Sequence, residues 1–417
     1  MKNMKKKGFT LVELLVVIAI IAILATVSIV GYTTFINKAN LSNDQTTIEM
    51  INDNLTAVTV GKEIKTAGDA LTYLREANIY GEKLQAYTKG HHYVFDLANK
   101  AFVLVDETGA IVYPKNVQNP DLWALYSNRE SDKVAGIKQY VATESVYYES
   151  DANKVFDSTG YVVDLNGFSW SVNLTVANAV TVKNGYIVAN VAGVTADASS
   201  KQLEALTAIA PADTKVENKI ITDKGVFAAL KNSTAEEVTF TNCVIGTSSV
   251  IVISNTSVDL VFENCVFTSA ATSWAVQASN TGDLTVKNCT FNGARGINVT
   301  NGGNVVIENN TFMVEQHCIQ LGGGNWDSVT IKNNNFISGL GIARIHATMM
   351  AIADHADDCD ATGDIGATTT TKSLDTIKGI TFEVSGNTFS ANFNAQFYSD
   401  CACVDAYTAY FNTKIAK

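Results

Sequence analysis

The octets VTFTNCVI (238–245), LVFENCVF (260–267), LTVKNCTF (284–291), VVIENNTF (305–312) and VTIKNNNF (329–336) align without gaps, and FEVSGNTF (382–389) is a sixth copy. A repeat restricts the fold more than any average property does, because each copy must be one structural unit stacked on the next. Asn242, Asn264, Asn288, Asn309 and Asn333 recur at intervals of 22, 24, 21 and 24 residues. VVDLNGFS (162–169) and VTVKNGYI (180–187) read as diverged earlier copies, and KIITDKGVF (219–227) as another. Leucine-rich repeats share this period, but Thr, Val and Asn dominate here and the leucine framework is absent.

Strand periodicity at this repeat length predicts a solenoid whose coils stack ~4.8 Å apart through parallel strands. One inward row is Phe240, Phe262, Val286, Ile307, Ile331 and Val384; a second is Ile245, Phe267, Phe291, Phe312, Phe336 and Phe389. Outward, Thr241 is followed by Glu263, Lys287, Glu308 and Lys332, alternating in sign. The recurring Asn suits a bend, its amide bonding to neighbouring backbone. Over roughly residues 155–395 these features resemble the right-handed parallel β-helix of the pectin-lyase-like group, a resemblance that implies a fold and names no reaction.

The other strong signal is N-terminal. Lys2, Lys5, Lys6 and Lys7 precede LVELLVVIAIIAILATVSIV (11–30), an apolar run with one ionisable group and the length a helix needs to cross ~30 Å of hydrocarbon. The lysines favour a cytoplasmic start, so the chain beyond Gly31 is expected outside. A carboxylate such as Glu13 inside a membrane helix costs about 2.5–3.5 kcal/mol, which marks it as functional. KKKGFTLVELLVVIAIIAILA resembles the prepilin leader of type IV pilins and type II secretion pseudopilins. The resemblance implies cleavage by a prepilin peptidase between Gly8 and Phe9, methylation of Phe9, and pairing of Glu13 with the N-terminal amine of a neighbouring subunit during assembly. A buried acid and a buried amine lower each other's desolvation cost, so such a pair selects for register. Many family members carry a proline near the end of the apolar stretch, where this chain has Val30-Gly31, so a helix break is less secured. Beyond it Leu41, Ile48, Ile51, Leu55 and Val58 keep the spacing of an amphipathic helix.

Between stem and repeat, residues 66–78 show helical spacing at Ala70, Leu71, Leu74 and Ala77. HYVFDLANKAFVLVDETGAIVYP then reads as three strands with turns at Asn99-Lys100 and Thr108-Gly109. Helix plus sheet resembles a pilin head. His91-His92 does not suit a metal, since neighbours on a strand point to opposite faces and no Cys or carboxylate cluster accompanies them. Trp123, Tyr126, Tyr147 and Tyr148 are expected to bury the link to the next domain.

The chain is acidic, with a net charge of −11 that becomes about −15 once the leader lysines are removed, so the β-helix lacks a nucleic-acid footprint. Enzymes on this scaffold commonly cleave acidic polysaccharides with clustered carboxylates, or with calcium and a basic residue. Glu263 and Glu308 belong instead to the charge ladder, and Asp259, Asp283 and Asp327 precede strands where Asx turns belong. Aligning SWAVQ (273–277), ARGIN (294–298) and QHCIQ (316–320) stacks Trp274, Arg295 and His317 beside Gln277, Asn298 and Gln320, a set suited to sugars and carboxylates. Asp358, Asp360 and Asp364 match the first half of a calcium loop, with Thr369 in the twelfth place where the loop has an acid, so Ca²⁺ is the one metal the sequence suggests; no cofactor is otherwise expected. Of seven cysteines, Cys243, Cys265 and Cys289 share the repeat position of Asn310 and Asn334 and read as stacked small residues; Cys401 and Cys403 are placed to pair with Cys359 or each other.

The expected organisation is a leader (1–8), a transmembrane pilin-type helix (9–60), a small α+β head (61–150) and an all-β parallel β-helix (151–417) with an inserted loop at about 341–378. The expected protein is a non-enzymatic, prepilin-type filament subunit of a bacterial membrane and cell surface, its partners being the peptidase, copies of itself or other pilins, the membrane and an extracellular polysaccharide. The alternatives are a pseudopilin of a secretion or DNA-uptake apparatus and a membrane-tethered polysaccharide lyase or hydrolase.

Overall fold

The computed structural model describes residues 11–77, 79, 84–127, 134–148, 160–172, 180–187, 194–247, 251–254, 256–269, 274–279, 281–300, 302–314, 317–322, 326–338, 350–353, 381–389 and 398–399; within 11–31 the only side chains described are those of Leu15 and Ile18. Helix α1 (Leu11–Val58) runs without interruption through Gly31. Its distal half buries Ile48, Ile51 and Leu55 completely, with Leu41 partly covered, as the three-and-four spacing predicts. Among the described residues no helix is long and apolar enough to cross a membrane. The expected span at 11–30 has nearly all its side chains outside the described residues and stands on the sequence.

Helix α2 (Ala67–Glu76) begins at a capping box, in which the Thr66 hydroxyl accepts from the Asp69 N–H at 3.1 Å and the Asp69 carboxylate accepts from the Thr66 N–H at 2.8 Å. The head strands come next: β1 (His92–Asp96), β2 (Ala101–Val105), β3 (Ile111–Tyr113) and β4 (Leu122–Tyr126), antiparallel in the order β3-β2-β1-β4. Lys100 (φ +52°) and Gly109 (φ +81°) make the predicted turns, and a Cβ at 109 would collide with the Ala135 carbonyl. Strands β1, β2 and β4 are buried on both faces. Tyr93, Phe95, Phe102 and Leu104 meet the helices, whereas Val94, Val103, Val105 and Tyr126 face the other way.

That other face is where the repeat begins. β4 pairs in parallel with β5 (Gln139–Ala142), and the sheet continues through β7 (Tyr161–Asp164), β9 (Val180–Lys183) and β11 (Val194–Ala196). The sequence division at 150/151 therefore falls within one continuous sheet. A second sheet of β6 (Val146–Tyr148), β8 (Ser169–Val172), β10 (Tyr186–Ile187) and β12 (Lys201–Gln202) closes over it. Between the two, the Trp170 indole donates to the Tyr126 hydroxyl at 3.2 Å.

At Leu203 the chain passes from β12 into β13 (Glu204–Ala205), the edge of a larger stack with three parallel sheets of eight, seven and six described strands. The large stack runs back alongside the small one. Leu203 packs with Val244 and Val266, the Ser169 hydroxyl donates to the Asn242 carbonyl at 3.0 Å, and the Ser145 hydroxyl donates to the Asn264 carbonyl at 2.7 Å, so successively earlier residues meet successively later coils. The Thr311 hydroxyl reaches Glu144 at 3.2 Å. A single progression of coils, as the sequence suggests, is thus replaced by two stacks side by side.

Within the large stack the predicted rows are in register. Phe240, Phe262, Val286, Ile307, Ile331 and Val384 are consecutive strand partners, and all are buried. Phe267, Phe291, Phe312, Phe336 and Phe389 stack ring on ring at 4.6, 4.8, 5.1 and 5.3 Å. Lys287 and Glu308 of the outward ladder meet at 3.4 Å, while Lys332 pairs with Glu383; these half-exposed pairs contribute little stability.

The recurring Asn has a different task from the expected one. Asn242, Asn264, Asn288, Asn309 and Asn333 all lie in the left-handed region at φ +53° to +57°, with Gly386 in the sixth copy at +66°. Asn tolerates that conformation better than other side chains. Asn166 and Asn184 share it, which aligns the copies at 162–169 and 180–187, whereas Asn218 also shares it and shifts the copy expected at 219–227 back to 214–221. After Lys219–Ile221 the chain forms a short helix and a 3₁₀ turn over 225–232, burying Val226, Phe227 and Leu230 against the end of the core.

Candidate functional site: an aromatic and amide face on the third sheet

The third sheet of the large stack contains Ile251–Ser254, Trp274–Ser279, Arg295–Thr300, Ile319–Gly322 and Met350–Ala353. Inward residues alternate with outward ones, so Val276, Ile297 and Ile319 enter the core while Gln277, Asn298 and Gln320 form an outward row. Next to it Ser279 pairs with Thr300, whose hydroxyl donates to Asn298 Oδ1 at 3.5 Å.

At the corner Trp274 is the register partner of Arg295, and the Gly296 N–H donates to the His317 carbonyl at 2.9 Å, which sets His317 on the following coil. The Arg295 guanidinium lies 5.5 Å from the Trp274 ring centre. The Trp274 and His317 rings are near-parallel at 17° and 6.0 Å apart, closer than the ~9.6 Å between strands two coils apart. Next to Arg295, a Cβ at Gly296 would collide with the Cys318 carbonyl, so glycine lets the two coils approach here. Trp274 and Asn298 are nearly buried; Arg295, His317, Gln277 and Gln320 are half-buried. The corner row of Trp274, Arg295 and His317 and the outward row of Gln277, Asn298 and Gln320 are thus each carried from coil to coil, three residues apart along this sheet. Its chemistry is a planar stack with a fixed cation, beside amides and hydroxyls that both donate and accept.

Asp259 and Asp283, at the starts of successive strands of the large stack, are engaged structurally. Asp259 accepts from the Asp283 N–H at 2.8 Å, and Asp283 accepts from the Asn304 N–H at 2.8 Å and its amide at 3.0 Å. Among the described residues no group of three or more His, Cys, Asp or Glu is arranged to hold a metal. Asp358, Asp360 and Asp364 lie outside the described residues, as do Cys359, Cys401 and Cys403. Of the expected insertion at 341–378, Met350–Ala353 is described and is a strand paired with Ile319–Gly322, so that stretch of it belongs to a coil. Gly8 and Phe9 also lie outside the described residues; Glu13 is within α1, its side chain outside them.

Sequence reasoning missed the groups that fix the stem to the head. Asp44 is fully buried on α1 and accepts from the N–H groups of Tyr87 (2.6 Å) and Thr88 (3.0 Å) and from the Tyr93 hydroxyl (2.8 Å). Burial and the Asp44 carboxylate together push the Tyr93 phenol well above its usual range. Asn52 behaves as a strand edge, its amide donating to the Phe102 carbonyl at 3.0 Å and accepting from the Phe102 N–H at 2.7 Å. Glu49 accepts from the Tyr113 hydroxyl. Their only sequence signal is an acid or amide at a position continuous with the apolar stripe.

Rows of identical positions linked by parallel strands, with phenylalanines stacked along the axis, define a parallel β-solenoid. Residues 224–412 match the family described as right handed beta helix region, and residues 3–29 match the prokaryotic N-terminal methylation motif. The chain thus carries a prepilin-type methylation motif at one end and a right-handed β-helix region towards the other. No curated protein and no solved structure matches it.

Proposed function

We propose that the protein is a prepilin-type filament subunit that is cut between Gly8 and Phe9, methylated on Phe9, and displays its β-helix outside the cell for contact with a surface glycan. The observation that carries this reading is the methylation motif at 3–29 running into a helix whose distal half is built into the head through Asp44, Asn52 and Ile48. Such a stem joins whatever assembles through its N-terminal half rigidly to whatever the solenoid contacts. In this reading the apolar half of α1 spans the membrane before assembly, and Glu13 meets the amine of the next subunit.

Contact rather than catalysis suits the third-sheet face. Asp259 and Asp283 are occupied as backbone acceptors, Glu308 is paired in the outward ladder, and among the described residues the Trp274–Arg295–His317 stack offers recognition groups with no acid pair beside it. Mass spectrometry of the mature N-terminus tests the subunit reading: methylated Phe9 is expected, and an intact Met1 or a cut near Ala25 would remove it. Binding of full-length protein to a panel of acidic polysaccharides tests the contact reading; Trp274→Ala should weaken it about tenfold, the loss of a stacked aromatic worth ~1.4 kcal/mol. Release of unsaturated sugars would establish an enzyme instead.

A further inference from the structure

Where α1 emerges from the head, a groove of about 870 Å³ opens between the helix and the segment leading into β1. The helix contributes Asn37, Lys38 and Leu41; the facing segment contributes Lys89, His91 and His92. Leu41 continues the stripe that buries Asp44, Ile48, Ile51 and Leu55 further along, so the groove is the unfilled end of the seam between stem and head. Asp44 builds its wall by accepting from the N–H groups of Tyr87 and Thr88.

The groove inverts the sign of the chain around it. Two lysines and two histidines face one carboxylate of the lining, Glu107, in a protein whose net charge is −11. Asp106 adjoins it, its carboxyl held below the usual range by hydrogen bonds from Thr108 and more weakly by His91. Among the described residues no ion pair engages Lys38 or Lys89, and the buried Thr88 hydroxyl in the lining has no hydrogen-bond partner. Position narrows what could fill it. Lys38 lies eight residues beyond the end of the apolar run at Val30, about 12 Å along a helix, within reach of headgroups for a lysine bent back towards them. Tyr32 and Phe35 lie between, each 68% exposed, as aromatic side chains do at a membrane–water boundary.

We propose that this groove seats the phosphates of anionic lipid headgroups and holds the head against the outer face of the membrane before the subunit joins a filament. The proposal rests on the reading that residues 11–30 span the membrane.

The test is hydrogen exchange on the full-length protein in nanodiscs of phosphatidylcholine, of phosphatidylcholine with phosphatidylglycerol, and of phosphatidylcholine with inorganic phosphate added. Phosphatidylglycerol should slow exchange over residues 87–92 at least about fivefold, the factor one lysine contributes near an anionic surface, and Lys38→Gln with Lys89→Gln should abolish the slowing. Equal exchange in the two lipid compositions, or slowing that survives the double substitution, overturns the proposal. Slowing by inorganic phosphate alone reassigns the groove to a free anion and overturns the lipid assignment. Failure of the chain to remain with the discs removes the membrane span itself, and the proposal with it.

Discussion

The backbone N–H of Cys289 donates to the side-chain carbonyl of Asn310 at 2.8 Å, so the buried cysteines and the buried asparagines of the large stack form one ladder. Asn310 in turn donates to the Val286 carbonyl at 2.9 Å, and its own N–H bonds to Asn334, whose N–H bonds to Asn387. Cys289 imitates this more weakly: its sulfur accepts from the Cys265 N–H at 3.3 Å and donates to the Phe262 carbonyl at 3.5 Å. Asn310→Ala leaves the Cys289 N–H and the Val286 carbonyl buried without partners and should cost about 2–4 kcal/mol. Cys289→Asn extends the stronger rung and should change stability by less than about 1 kcal/mol, or raise it. Denaturant midpoints of the two variants check the pair; equal losses would show that the rungs are not shared.

The thiols of that row are shielded twice. Cys243, Cys265 and Cys289 of the row, and Cys318 elsewhere in the same core, are buried and joined by no disulfide. The hydrogen bond with Cys265, and then burial, push the Cys243 thiol far up; burial alone raises Cys318 and is the largest cause for Cys265. Alkylation of the folded protein, mapped by peptide, should leave all four unmodified, and unfolding should expose all four. Rapid labelling of any one in the folded state contradicts the packed row.

How much of this was legible depends on whether a residue's role repeats. Phe267, Phe291 and Phe312 announced their stacking because one position carries one side chain in successive copies. The same rule misled for Asn242 and its equivalents, since a left-handed bend and an amide ladder both select Asn; the ladder lies one residue later, at Asn310 and Asn334. The reversal at Leu203 left no trace, because Val244 and Val266 look like ordinary strand residues whichever layer covers them. For the third-sheet face, gapless alignment placed Trp274, Arg295 and His317 together, but the closure of the two rings to 6.0 Å depends on rotamers that no alignment encodes.

Asn52 and Phe102 test how the stem is held. β3 pairs with Leu104 and Val105 and leaves the backbone of Phe102 for the Asn52 amide, which satisfies both its donor and its acceptor. Asn52→Asp keeps the acceptor but sets a carboxylate oxygen against the Phe102 carbonyl. It should cost about 1–3 kcal/mol and quicken exchange across β2, while Asn54→Asp, on an exposed part of the same helix turn, should do neither. Unchanged β2 protection in the Asn52 variant would assign the docking to Asp44, Glu49 and the apolar stripe of Ile48, Ile51 and Leu55 without Asn52.

Asp164 gives the fold a pH dependence of defined sign. The carboxyl is buried where β7 ends, accepting from the Asn166 N–H and the Asn184 amide at 2.9 Å each. Burial raises its pKa above the ordinary 3.8, more than these bonds and the nearby Lys183 lower it. Between that ordinary value and the raised one the folded state holds more protons than the unfolded state, so the contribution is fully present below the unfolded pKa and is lost as pH rises through the folded pKa. Asp164→Asn removes the titration. Relative to the wild type, the variant should therefore gain in thermal midpoint as pH rises from acid to neutral. A difference between the two that stays flat with pH, or that shrinks towards neutrality, would place the Asp164 carboxylate in a better-solvated site than the turn between β7 and β8 provides.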